Sequence, residues 1–340
     1  MDGNSLSGQR LRTMLRTAMG ADLVTALARD DVFEIMVNPD GRIRLDLAGK
    51  GRVDTGAILA AADAERVVRL VASHIRSETH ADNPIVSAEL PLGVDGTGGE
   101  RFEGLLPPVV RAPCFSIRKP AGTLFTLRDY VHAGIMTAAH SRILVRAIRH
   151  RENILIVGGT SSGKTTLANA LLAEVAELGE RVILIEDTRE LQCAAEDVVA
   201  LRTRLGKVSM TDLVRSTLRL RPDRIIVGEV RGAEAIDLLK SWNTGHPGGL
   251  ATLHANSARG ALQRLEQLVQ EAVTYIPRAL IAEAIDLIVF ISGANPATGS
   301  VRRLSEIAQV RGLGADGDYV LHSLQPGEED FQPFDTSQEA

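Results

Sequence analysis

The chain has 340 residues, enough for two ordinary domains that each bury their own core. Its 44% hydrophobic and 24% charged content, without any low-complexity tract, excludes a disordered or fibrous chain, and a net charge of −5 argues against a dedicated electrostatic nucleic-acid binder. Cys114 and Cys193, with no Cys-x-x-Cys pair, make neither a disulfide framework nor a structural zinc site.

The first twenty residues hold arginines but no continuous apolar block, and no segment reaches bilayer-spanning length. The sequence therefore predicts a cytoplasmic chain that meets a membrane peripherally, through partners. Leu11, Leu15, Leu23 and Leu27 predict an opening helix, followed by strand, turn and strand in VFEIMV, NPDG and RIRLDL. A helix over 58–76 and short strands in ADNPIVSAELP, ERFEGLLPP and CFSIRKP complete a small α+β domain over 1–120. The stretch 121–140, containing AGTLFTLRDYVHAG, reads as a linker, and a helix over 141–150 opens the second domain.

From Asn153 onward buried apolar runs alternate with helices: ILIVG, RVILIED, RIIVGE and GLATLHA are the runs. Such runs suit a parallel sheet covered on both faces, so 141–324 reads as an α/β domain. DLIVFIS and VRRLSEIAQV predict a final strand pair, and the tail 325–340, with five acids and no base, reads as a solvated end.

Gly158, Gly159, Thr160, Ser161, Ser162, Gly163, Lys164, Thr165 and Thr166 match GxxxxGK[ST] between an apolar strand and the helix LANALLAEV. Glycines let backbone N–H groups curl around phosphate oxygens at the positive end of the helix. Lys164 would reach the β and γ phosphates, and Thr165 would take one position around Mg²⁺. Glu229 ends an apolar strand where such a sheet delivers the group that handles the attacking water or the metal. Glu186 ends the preceding strand and is the second candidate for Mg²⁺ or water, whereas Asp187 and Glu190 read as caps or partners of Arg189. His246 and His254 bracket a short strand; two histidines eight apart without nearby acids make a weak metal set.

Together GGTSSGKTT, VILIEDTREL, RIIVGEVRG and TGHPGGLATLHANS resemble, in order, the Walker A, Asp box, Walker B and His box of the secretion-superfamily ATPases. The stretch GGLATLHANSARGALQRLEQL is most similar to the conjugal-transfer (TrbB) group of type IV secretion ATPases. The resemblance covers about residues 110–275 well and the N-terminal part loosely through CFSIRKP. It implies a P-loop NTPase (RecA-like) C-terminal domain with a small α+β N-terminal domain, ATP and Mg²⁺ held between them, and a homohexameric ring. The implied activity is ATP hydrolysis that powers type IV secretion or conjugal DNA transfer, through pilus assembly or substrate translocation. Its implied partners are the inner-membrane and coupling components of that machine.

By the same resemblance Glu229 is the Walker B glutamate, Glu186 the Asp-box acid and His254 the sensor of nucleotide state. Arg118 matches an arginine near the nucleotide at the domain junction, and Arg202 and Arg204 match arginines that reach phosphate. Two isolated cysteines cannot build the four-cysteine metal subdomain of type II secretion and pilus-extension members. A pilus-retraction type of motor stays open as an alternative, as does a nucleotide-gated assembly scaffold. A small-molecule kinase lacks an acceptor or lid signal here. Seven bases from Arg202 to Arg224 raise a direct nucleic-acid translocase, yet no aromatic stacks among them.

Overall fold

The computed structural model describes residues 6–47, 49–91, 99–120, 124–204, 206–294 and 300–324. The chain divides into two compact units, Met1–Thr123 and Leu124–Ala340.

In the first unit α1 (Leu6–Ala28) and α2 (Ala61–His74) cover one face of an antiparallel sheet. Its strands are β1 (Val32–Val37), β2 (Arg42–Leu47), β3 (Gly51–Ile58), β4 (Ile85–Glu89), β5 (Arg101–Leu105) and β6 (Cys114–Arg118), in the order β3-β2-β1-β6-β5-β4. Alternation builds the core: Ile35, Ile43, Leu45, Phe102, Phe115 and Ile117 point inward with Leu15, Leu23, Val67 and Val71. The opening helix is not continuous. Gly20 takes φ +72°, a conformation that side-chain-bearing residues rarely adopt, and splits it in two.

The second unit starts earlier than the sequence suggests. Within the expected linker over 121–140 lies α3 (Leu127–His132), started by a capping box between Thr126 and Asp129. Leu127 and Tyr130 are buried in the α/β core, which is why this stretch packs instead of bridging. Then come α4 (Ala138–Arg149), β7 (Ile154–Gly158), α5 (Lys164–Ala176), β8 (Val182–Glu186), β9 (Val198–Arg202), α6 (Met210–Thr217) and β10 (Arg224–Val227). They are followed by α7 (Glu234–Asn243), β11 (Leu250–His254), α8 (Ala258–Gln270), α9 (Arg278–Ala284), β12 (Leu287–Ser292), β13 (Arg303–Leu313) and β14 (Tyr319–Ser323).

The sheet order is β14-β13-β12-β7-β11-β10-β8-β9; strands β12 through β9 run parallel, and β13 and β14 are antiparallel additions. Successive residues of a buried strand feed opposite cores. Leu155, Val157, Ile183, Ile185, Ile225 and Val227 pack under α6–α9, and Ile154, Ile156, Val182, Leu184 and Ile226 pack under α3–α5. This is the RecA-like P-loop fold, an open parallel sheet whose strand C-termini gather at one edge. The tail 325–340 lies outside the described residues. Among the described residues no helix is long and apolar enough to cross a membrane.

Candidate active site

β7 delivers the chain to Gly158 and α5 resumes at Lys164, so the intervening loop curls over the C-terminal edge of the sheet. A Cβ on Gly158 would lie 2.4 Å from the Ile291 carbonyl oxygen and 2.5 Å from Ser162 Oγ, so only glycine fits there. Gly163 caps α5 at φ +99°, again a glycine conformation. Thr160 and Ser161 form the exposed crown of the loop, and Ser162 Oγ is buried without a hydrogen-bond partner. Thr165 and Thr166 follow in the first turn of α5, half-buried. Lys164 is 8% exposed and its Nζ donates to the carbonyls of Gly158 at 3.1 Å and Gly159 at 3.0 Å.

On the β11 side His254 pairs across the ladder with Gly158, which sets the imidazole beside the loop. Lys164 Nζ lies 3.3 Å from His254 Nδ1, and His254 Nε2 lies 2.9 Å from Glu229 Oε1. An ammonium can only donate, so Nδ1 accepts and Nε2 carries the proton; the partners assign this neutral tautomer. Burial, then the Lys164 charge, hold the imidazole pKa below its ordinary value, against the opposing pull of Glu229. The other Glu229 oxygen accepts from Arg231, which reaches Asp187 at 3.5 Å. Arg231 escaped the sequence reading, although its place two residues beyond a strand-end acid was the available signal.

On the β8 side the two acids differ in what they touch. Glu186 Oε1 accepts the backbone N–H groups of Glu190 at 2.9 Å and Leu191 at 2.7 Å, and burial pushes its pKa up to about 7 despite those bonds. That carboxyl folds the 187–191 turn. The acid that reaches the Thr165 hydroxyl is Glu190, at 3.3 Å, where the sequence predicts a cap or an ion-pair partner. Asn169, a polar residue inside an apolar helix, clasps the same turn: it donates to the Glu190 carbonyl at 3.0 Å and accepts from Gln192 N–H at 2.9 Å. That anomaly in LANALLAEV was the readable clue.

Arg202 ends the edge strand β9 opposite Glu186, whose carboxyl it draws down, and Arg204 bridges to Val208 just beyond. Arg118 ends β6 in the first unit. The structure thus gathers Lys164, Thr165, Glu190, Glu229 and His254 around the loop, with Glu186 as a support beneath them.

An orphaned Ser162 hydroxyl in a cradle that a Cβ would fill suits phosphate oxygens. Among the described residues no group of three His, Cys, Asp or Glu is arranged to hold a metal ion. One hydroxyl and one acid, Thr165 and Glu190, fit Mg²⁺, which is usually bound through one or two carboxylates plus phosphate oxygens and water.

Residues 100–306 match the family described as Type II/IV secretion system protein. The chain is 48% identical over 325 residues to a probable conjugal transfer protein TrbB of Sinorhizobium fredii, covering 95% of this chain and 96% of that one. It is 49% identical over 321 residues to the conjugal transfer protein TrbB of Rhizobium radiobacter, covering 94% and 96%. The crystal structure of the pilus retraction motor PilT with bound ADP shares the fold, with a TM-score of 0.58, 20% identity and coverage of 91% of this chain and 84% of that one. With the P-loop geometry, this extent of identity over nearly the whole chain means that the protein belongs to the type II/IV secretion system family.

Proposed function

We propose that this chain is an ATPase that hydrolyses ATP to ADP and phosphate, with Mg²⁺, in a homohexameric ring that drives conjugal transfer or type IV secretion. The observation that carries the reading is the clustering of Lys164, His254 and Glu229, each within 3.3 Å of the next, beside the P-loop. Lys164 offsets negative charge that develops between the β and γ phosphates. Glu229 orients the attacking water and takes its proton: Arg231 holds one of its oxygens, and the other, buried without a hydrogen-bond partner beside His254 Nε2, is open to the water. Thr165 and Glu190 would hold Mg²⁺, and the chemistry it would supply is neutralisation of phosphate charge. His254 registers the γ-phosphate, because it lies against both the lysine that binds it and the acid that orients the attacking water.

The 48% identity to a conjugal transfer protein over almost the full length of both chains supports conjugal DNA transfer as the process served. Partners would be the membrane-embedded and coupling components of that machine, with the chain docked peripherally on the cytoplasmic side of the inner membrane. Arg118, Arg202 and Arg204 are proposed as phosphate-reaching arginines of the assembled ring.

Steady-state hydrolysis tests this on the wild type, Lys164→Ala and Glu229→Gln, with particle mass from light scattering on the same samples. Mg²⁺-dependent turnover in a hexamer, reduced at least about a hundredfold in both variants, is expected. A monomer whose activity survives both substitutions would overturn it.

A further inference from the structure

Arg302 precedes β13 in the connection from β12, and its guanidinium lies against the cap of α5. A Cβ on Gly163 would meet Arg302 Nε at 3.2 Å, Cζ at 3.3 Å and Cδ at 3.4 Å. Arg302 Nη2 donates to the Ser161 carbonyl at 3.3 Å, while its Nε is buried without a partner. Tyr130 in α3 is 3% exposed, and its hydroxyl is likewise unpartnered. Arg302 is near enough to draw down the Tyr130 phenol, which burial pushes up to about 12.

A cation in this place is electrostatically wrong on its own. The first N–H groups of α5 and the positive end of its dipole face the same spot, and Lys164 follows one residue later. Among the described residues no carboxylate pairs with Arg302 to offset this. An anion between the three would reconcile them.

The sheet order says which part of the anion. β12, with the connection that carries Arg302, flanks β7 on one side, and β11, β10 and β8, with His254, Glu229 and Glu190 at or just beyond their ends, lie on the other. A phosphate chain in the loop therefore has its reacting end toward β11 and its ribose-bearing end toward β12.

We infer that Arg302 is a nucleotide-binding residue that grips the α-phosphate of ADP and ATP from within the same subunit. The inference rests on the ATP-site reading above. Because the α-phosphate is unchanged by hydrolysis, Arg302 sets affinity for substrate and product equally and leaves the chemical step alone.

The test is equilibrium titration of the full-length protein with ADP and with a non-hydrolysable ATP analogue, for the wild type, Arg302→Ala, Arg302→Lys and Lys164→Ala. Melting without nucleotide is measured alongside. Arg302→Ala is expected to weaken both ligands by the same factor, about tenfold or more. Arg302→Lys should recover part of the affinity, and nucleotide-free melting should be unchanged.

Undiminished affinity in Arg302→Ala overturns the inference, as does loss confined to the ATP analogue, which would make Arg302 a γ-phosphate contact. Lowered melting that lysine does not restore would make it a structural pin and also overturn it. In those cases wild-type binding keeps the ATP site standing; a wild type that binds neither ligand sinks the ATP-site reading itself.

Discussion

At His254 two neighbours divide the imidazole: the Lys164 ammonium stands 3.3 Å from Nδ1 and the Glu229 carboxylate 2.9 Å from Nε2. Protonation would set a second cation against Lys164, which is part of why the pKa lies below the ordinary value. A lowered pKa keeps the ring neutral to more acid pH than a free histidine, so the working tautomer predominates above pH 6.5 and is lost below it. Because the Glu186 carboxyl, at about 7, titrates in the same range, the histidine's limb is read as the difference between the pH–rate profiles of the wild type and His254→Gln; that difference should lie below pH 6.5, and His254→Gln should cut kcat about a hundredfold. A histidine limb lying above pH 7 would contradict the Lys164–His254 contact. Lys164, Thr165, Glu229 and His254 were legible in the sequence because each sits where a strand ends or a helix begins. Glu190 was not, because choosing between Glu186 and Glu190 depends on a turn whose shape is set by Asn169 and by the backbone N–H groups that Glu186 accepts.

Among the elements, the P-loop joins β7 to α5 by packing directly on the end of β12, and two adjacent glycines separate packing from chemistry. A Cβ on Gly158 would strike the Ile291 carbonyl and Ser162 Oγ, whereas a Cβ on Gly159 meets nothing within 4 Å. Gly158→Ala should therefore destabilise the unliganded protein by about 2–3 kcal/mol, as overpacking does, and Gly159→Ala should leave its denaturant midpoint nearly unchanged. Equal midpoints for the two variants would mean that the β7–β12 contact is looser than described. The parallel strands were readable as buried apolar runs, since every residue of β7, β8 and β10 is buried. The edge strands β3 and β14 were not: β3 is almost wholly exposed and β14 mostly so, so neither has apolar periodicity to betray it. The helix α3 hid in a supposed linker because it has only six residues, although its Thr126 and Asp129 spell a capping box.

At the scale of the whole molecule, the seven bases between Arg202 and Arg224 do not all face solvent as a track would require, because folding takes Arg224 inside and ties Arg215 to an acid. Arg224 is fully buried, where it bonds to Glu180 and donates to the carbonyls of Gly248 at 3.0 Å and Ile148 at 2.7 Å. Arg215 pairs with Asp237 at 3.0 Å, and Arg202 lies opposite Glu186 on the sheet edge. Binding to single strands needs a continuous exposed groove of charge with aromatic platforms, so these side chains should not form one. Single-stranded DNA is accordingly expected to leave ATP turnover within about twofold, and a strong stimulation that collapses with added salt would restore the translocase reading. The sharper contrast comes from Arg224→Leu. If Arg224 served nucleic acid, its loss would weaken DNA binding and spare the fold; as a buried tie between β10, α4 and the 244–249 loop, its loss takes the only described side-chain donor from the Gly248 carbonyl and leaves Glu180 to Arg151 alone. The expected result is a drop of about 1–3 kcal/mol in unfolding free energy, with no change in whatever weak DNA affinity the wild type has.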